Sequence, residues 1–416
     1  MAKEEKDNIV VGLDIGTTKI CCIIGEMNSD NTINVIGIGQ TPSKGVRKGI
    51  ISDIEVTIEG IKKAVYDASR MAGVEVAAVY AGITGEHVKG INLESMVAIA
   101  GKNKQVEQSD IDRVREAISL NAATQNDREV LHIIPQEYIV DDQNEIKNPL
   151  GMYGSRLRSR VHFITASVPR VQDIVRSIEK AGFFFQGLVL QPLASAEACL
   201  TYDEKELGVV LVDIGGGTTD MIVYIDGGVR HTAIFPLGGI QVTNDLAIGL
   251  RAPIEQVEEI KKVDGCAFAP MVNELEEVKV NLIGKKTERI VPRRVVAEII
   301  QPRIEEIFGF VLKELKASGM EGRVAAGCVV TGGGALISGI EEVADKVLRL
   351  HARVGYPSGI SGLLEVVNSP VYSTAIGLMV YGARNRVSAK SSRQSSGGSG
   401  LEGLIKKFKG WMDIGF

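Results

Sequence analysis

Two short Gly/Thr turns, Asp14-Ile15-Gly16-Thr17-Thr18-Lys19 and Asp213-Ile214-Gly215-Gly216-Gly217-Thr218-Thr219-Asp220, constrain this chain more than any other feature. They lie about 200 residues apart, and each separates two short apolar runs. Around the first, Ile9–Leu13, Ile20–Ile24 and Ile33–Ile38 read as three meandering strands. From Ile54 the period changes: Ile54, Ile58, Ile61, Val65, Ala68 and Ala72 recur at helical spacing, and Val76–Ala81 returns to a strand. Around the second turn the order repeats, with Val209–Val212, Met221–Ile225, Val229–Phe235, helical patterns and a closing strand at Ala326–Val330. The expected fold is α/β, with two β-β-β-α-β halves on one plan.

A turn of this composition has a chemical use. Glycines let the chain reverse while main-chain N–H groups converge on one concavity, which suits an anion. Threonine hydroxyls add donors, and an Asp at the strand end can hold Mg²⁺ directly or through water. One such turn alone could be a tight hairpin with an Asx-type bond. Two copies in matching contexts argue for a shared phosphate site. Neither is a P-loop, and neither opens a helix after one strand as a G-x-G-x-x-G turn would.

Composition limits the partners. The chain has 416 residues, 44% hydrophobic and 24% charged, which suits a globular protein of several domains. No uncharged apolar run is long enough to span a bilayer, and Met1–Asn8 lacks the apolar stretch of a secretion signal, so a cytosolic chain is expected. A net charge of −5 argues against nucleic acid as a partner. The charge is uneven: Arg386–Phe416 carries +4, leaving −9 on the rest. Five scattered cysteines and five scattered histidines, without C-x-x-C or H-E-x-x-H spacing, point to neither a disulfide framework nor a zinc site.

The expected organisation follows the pattern shifts. Residues 1–84 and 161–207 form the first half, interrupted by an inserted subdomain at 85–160 with a helix around Ile111–Leu120. Residues 208–242 and 304–386 form the second half, interrupted at 243–303 by charged helical segments such as Ile254–Lys262. Ser/Gly-rich residues 387–400 read as a flexible linker, and 401–416 as a terminal helix. In that helix Leu401, Leu404, Ile405, Phe408, Trp411 and Met412 share a sector of about 120° at 100° per residue. Lys406 and Lys407 lie opposite and Lys409 at the border, a pattern suited to lying in an anionic membrane surface.

The paired turns resemble those of the actin, Hsp70 and sugar-kinase ATPase superfamily. Leu190–Ala198 resembles its first connecting segment, Val329–Ala335 its adenosine segment and Val371–Gly382 its second connection. Small residues in both connections (Ala194 and Ala198; Ser373 and Gly377) would let two helices cross closely under a cleft. Within the superfamily, VVGLDIGTTKI, the insertion after Gly85, LVDIGGGTTD and the linker with its basic amphipathic end resemble the FtsA family of bacterial cell-division proteins over nearly the whole chain. That resemblance implies an actin-like ATPase fold around a nucleotide cleft, head-to-tail polymerisation, and anchoring of the tubulin-like FtsZ ring to the membrane, with other division proteins as further partners.

On the same resemblance ATP and Mg²⁺ are the expected ligands. Asp14 and Asp213 would face the metal-bound phosphates. Gly16, Thr17, Thr18, Gly215, Gly216, Gly217 and Thr218 would form the cradle, and Lys19 would bring a charge to the β/γ oxygens. Gln191 would orient water; a carboxamide is a poor base, so hydrolysis should be slow and nucleotide should act as an assembly switch. Glu259 and Lys262, with Gly332, Gly333, Gly334 and Ala335, are the candidates for nucleoside contacts. Arg293, Arg294 and Arg303 are the candidate cations for an acidic FtsZ peptide. A sugar kinase would need a carboxylate near Leu188–Leu193, where none occurs, and an Hsp70-type chaperone a further domain after Gly382.

Overall fold

Alternating and continuous apolar runs become the strands they predict. In the computed structural model, which describes residues 8–30, 32–101, 103–122, 127–283 and 288–393, the first half opens with β1 (Ile9–Ile15), β2 (Lys19–Met27) and β3 (Ile33–Pro42). Helix α1 (Ile54–Ala72) follows. It starts where Asp53 accepts a hydrogen bond from the Val56 N–H, and it ends at Gly73 in the left-handed region (φ 67°). Its buried stripe of Ile58, Ile61, Val65 and Ala68 packs into the same core as the sheet. Strand β4 (Ala78–Ile83) leads into the insertion.

The insertion is a four-stranded antiparallel sheet with one helix: β5 (Lys89–Ala98), α2 (Gln108–Ala122), β6 (Arg128–Val140), β7 (Gln143–Ile146) and β8 (Arg156–Ser167), in the order β5-β8-β6-β7. Helix α3 (Val168–Lys180) and β9 (Phe184–Leu190) complete the first sheet, and α4 (Gln191–Cys199) crosses to the second half.

There β10 (Val209–Ile214), β11 (Thr219–Ile225) and β12 (Gly228–Phe235) repeat the meander. Then come α5 (Gly239–Leu250), α6 (Ile254–Val263), the hairpin β13 (Glu277–Asn281) and β14 (Glu288–Pro292), and α7 (Arg293–Ala317). Strand β15 (Cys328–Thr331), α8 (Ile340–Leu348), β16 (Ala352–Val354), β17 (Ile360–Gly362) and α9 (Ser373–Arg393) close the described chain.

The two main sheets have one topology. The first runs β9-β4-β1-β2-β3-β17 and the second β12-β11-β10-β15-β16, so in each half the first strand is antiparallel to the second and parallel to the fourth. Each sheet has its own hydrophobic core, one around Leu13, Ile23, Ile61 and Val189, the other around Val212, Val296, Phe308 and Val330. Helices α4 and α9 cross between the halves with almost no gap: a Cβ added to Gly377 would lie 1.7 Å from the Ala194 carbonyl oxygen.

Four expected boundaries differ, the first at residue 160, which falls inside β8. Residues 243 and 303 fall inside α5 and α7, because a helix continues wherever each added residue gains a bond, whatever its charge. Helix α9 likewise runs to Arg393, six residues into the Ser/Gly-rich stretch at Ser388, carried by residues such as Ala389 and Lys390 that suit a helix. The rest of that stretch and 401–416 lie outside the described residues.

Candidate nucleotide-binding site

The two turns close identically. Gly16 donates its N–H to the Lys19 carbonyl at 2.9 Å, and Gly215 donates to the Thr218 carbonyl at 2.9 Å. The closing pairs are Ile15–Ile20 and Ile214–Thr219, so four residues form each loop. The loops meet face to face. A Cβ on Gly216 would lie 2.3 Å from Thr18 Cγ2, and one on Gly217 would lie 2.7 Å from Thr17 Oγ1. Threonines in the first turn therefore require glycines in the second.

Behind the turns lie three buried carboxylates. Asp14 is pushed up to about 6, chiefly by burial, with the nearby Lys19 charge opposing and Asp213 adding to the shift. Asp213 is also raised by burial, although Ser195 Oγ donates to its Oδ2 at 2.6 Å and Thr374 Oγ1 at 3.1 Å, which favours the ionised form. Asp220, opposite Asp213 in the β10–β11 pair, is raised well above the ordinary range by burial and by Asp213. Thr84 Oγ1 donates to Asp220 Oδ1 at 2.8 Å.

Ser195 stands on α4 and Thr374 on α9, so Asp213 is hydrogen-bonded to both crossing helices. Gln191, the first residue of α4, reaches Asp14 Oδ1 through Nε2 at 3.0 Å. Lys19 donates to the Val371 carbonyl and stands 5.0 Å from the centre of the Tyr372 ring, which directs it toward the second connection. Gly332 (φ 82°) is essential in its place, since a Cβ there would be 2.2 Å from Asp213 Oδ1, and a Cβ on Gly334 would be 2.4 Å from Ile214 Cγ2. Thus Gly332–Ala335 runs beside the second turn.

The charge set fits a divalent cation that is shared with phosphate. Among the described residues no group of three or more His, Cys, Asp and Glu side chains could hold a metal alone. A buried excess of negative charge is nevertheless what Mg²⁺ with phosphate and water oxygens would offset, one or two carboxylates being its usual share from a protein.

Two expectations do not survive the geometry. Glu259 and Lys262 sit on the exposed side of α6 and pair with each other at 2.9 Å, leaving Glu258 and Lys261 to face the site. Lys261 Nζ donates to the Gly239 carbonyl at 3.1 Å and to Thr243 Oγ1 at 2.9 Å, and Gly239 in turn donates to the Gly215 carbonyl. Buried Val257 and Ile260 set which way the helix turns, and so put Lys261 rather than Lys262 beside the α5 start. The three arginines form no common patch either. Nine residues at 100° each put Arg294 and Arg303 on opposite faces of α7. Arg303 is bidentate to Asp245 at 2.7 and 3.1 Å, Arg294 pairs with Glu274 and Glu298, and Arg293 with Glu276.

Asp220, Ser195, Thr374, Glu258 and Lys261 were not singled out from the sequence. Asp220 had a signal, as the last residue of the second turn motif; a hydroxyl on a helix has none until its partner strand is known.

Two like halves with facing turns over a pair of crossing helices define the actin-like ATPase fold, and solved structures of that fold match the chain. The PilM–PilN type IV pilus biogenesis complex matches with TM-score 0.66 at 14% identity, covering 90% of this chain and 98% of that one. MreB5 of Spiroplasma citri bound to ADP matches with TM-score 0.55 at 15% identity, covering 92% and 98%. At such identities the likeness is one of fold.

The chain belongs to the FtsA family of cell-division proteins. The family model for cell division protein FtsA matches residues 210–377, and that for the SHS2 domain inserted in FtsA matches 85–165. The cell division protein FtsA of Pseudomonas aeruginosa is 39% identical over 100% of both chains. That of Neisseria meningitidis is 40% identical over 99% of this chain and 100% of its own, and that of Escherichia coli K12 is 36% identical over 99% of each.

Proposed function

We propose that this chain binds Mg²⁺ and ATP between its two turns, uses the nucleotide as an assembly switch with slow hydrolysis, and tethers an FtsZ ring to the cytoplasmic membrane at the division septum. The observation that carries the nucleotide reading is the pair of identically closed turns in contact, with Asp14 and Asp213 buried behind them and Asp213 hydrogen-bonded to both crossing helices. Metal-bound triphosphate would bring the countercharge that this carboxylate cluster lacks and stabilise charge on the transferred phosphoryl group. Main-chain N–H groups of Thr17, Thr18 and Gly216–Thr218 would cradle the phosphates, while those of Gly16 and Gly215 close the turns, and Asp14 and Asp213 would hold the metal, directly or through water. Gln191 would orient water without acting as a strong base. Gly332–Ala335, Glu258 and Lys261 would line the nucleoside side. Because Asp213 touches α4 and α9 together, occupancy of the cleft would bias how the halves sit, and a polymer contact could read that difference.

The tether rests on the sequence of residues 401–416, which lie outside the described residues, and on family membership. No described helix is long and apolar enough to cross a membrane. A basic amphipathic tail would attach reversibly, and head-to-tail assembly would add many weak attachments together. With Arg293, Arg294 and Arg303 each already paired, an acidic FtsZ peptide would have to compete with Glu276, Glu274 and Asp245.

Two measurements test the reading. Saturating Mg-ATP should raise the thermal midpoint, and an unmoved midpoint counts against the cleft. Emission from Trp411, the only tryptophan, should shift to the blue with anionic vesicles. An unmoved spectrum under assembly conditions counts against the tether.

A further inference from the structure

The inserted subdomain is bonded to the strand end that leads into α4. We infer that His132, on insertion strand β6, is a positioning residue for Gln191 and for the α4 end of the nucleotide site; this rests on the nucleotide reading above.

Strand β9 is the edge of the first sheet, so one side of its main chain has no strand neighbour. At its last residue, Leu190, the N–H is donated to His132 Nε2 at 3.0 Å, in buried surroundings. Leu190 is also the N-cap of α4, whose own side chain makes no capping bond, and Gln191 is the next residue. The His132 bond therefore fixes the Val189–Leu190 peptide, immediately before the one from which Gln191 reaches Asp14. Gln191 is tightly packed there: a Cβ on Gly82 would lie 2.9 Å from its Cγ, so a shift of Leu190 would be passed to the carboxamide. Burial holds the imidazole neutral, pushing it down to about 3, and an accepting Nε2 assigns the ring proton to Nδ1. The ring also packs edge-on to Tyr381 of α9 at 6.1 Å between centroids, so one insertion residue touches α9 and the N-cap of α4.

A second tie lies at the root of the insertion. Thr84 directly follows β4, and its hydroxyl holds Asp220 of the opposite half. A third ties the insertion sheet to β12: His162 shares hydrogen bonds with Asn92 and Thr232, and Gln136 donates to the Val229 carbonyl at 2.9 Å. An insertion anchored at Leu190, Asp220 and β12 cannot tilt without disturbing the water-orienting residue, and by linkage cleft occupancy biases the insertion in return.

The test uses the full chain with His132→Leu, which removes the acceptor, and His132→Gln, whose amide oxygen can stand where Nε2 does. Without nucleotide, amide hydrogen exchange at Leu190 should accelerate about tenfold or more in His132→Leu and return toward wild type in His132→Gln. With Mg-ATP, single-turnover hydrolysis should fall about tenfold in His132→Leu, with the ATP Kd within about twofold and partial rescue by His132→Gln. Leu190 exchange unchanged in a folded His132→Leu protein overturns the inference. So does a His132→Gln protein no better than His132→Leu, or turnover and ATP affinity falling together with the melting temperature. A wild type that binds no Mg-ATP refutes the nucleotide reading and the positioning role with it, whereas the exchange result refutes positioning alone.

Discussion

Asp14→Asn should make the nucleotide-free protein more stable and the nucleotide response weaker. Asp14 is 7% exposed, and its carboxyl is raised from 3.8 to about 6. An acid with a raised folded pKa favours folding only while protonated: its contribution is full below pH 3.8 and is lost as pH rises through 6. At pH 7.5 the ionised form thus costs about 3 kcal/mol relative to the protonated one, taking 1.36 kcal/mol per pH unit. Asparagine removes that charge and keeps an amide oxygen to accept from Gln191 Nε2. The expected gain at pH 7.5 is up to about 3 kcal/mol, or about 3 °C in a chain this long, shrinking to about 0.5 kcal/mol by pH 4. Mg-ATP at 100 times its Kd should stabilise the wild type by about 2.7 kcal/mol and the variant by much less. Thermal denaturation at the two pH values, with and without Mg-ATP, reads all four combinations. An Asp14→Asn protein that melts below wild type at pH 7.5 without nucleotide would refute the reasoning that burial penalises this carboxylate.

Three further outcomes are expected. Gly377→Ala should destabilise by about 3 kcal/mol or more, read from urea midpoints, because its Cβ would clash with the Ala194 carbonyl and force α4 and α9 apart. In nucleotide titrations, Lys261→Ala should weaken ATP binding while Lys262→Ala leaves it within about twofold, since only Lys261 reaches the α5 start beside the second turn. His162, pushed down to about 3 by burial, contributes stability that is full above pH 6.5 and is lost as pH falls toward 3. At pH 5 that loss is about 2 kcal/mol, and His162→Asn should flatten the acid limb of the denaturation curve.

The sequence by itself determined the elements and their order. Strand alternation, helical spacing at Ile54–Ala72 and the glycines of the turns are local, so the two halves, the insertion after Gly85 and the residues Asp14 and Asp213 could be read directly, whereas Gly332–Gly334 came only with the family resemblance. The small residues at Ala194 and Gly377 are equally local, but that their two helices cross was implied by the resemblance.

What only the tertiary structure decided were contacts between residues far apart in the chain. Whether Glu258 or Glu259 faces the cleft depends on how α6 is rotated by the burial of Val257 and Ile260, a difference of 100° that a run of charged residues leaves open. That Arg294 and Arg303 spend their charge on Glu274 and Asp245 depends on where a hairpin and α5 pack. Ser195 and Thr374 converge on one oxygen of Asp213 only because α4 and α9 cross under β10. A hydrogen bond needs donor and acceptor within about 3 Å, and only packing of whole elements brings His132 to Leu190 or Thr84 to Asp220 at that range.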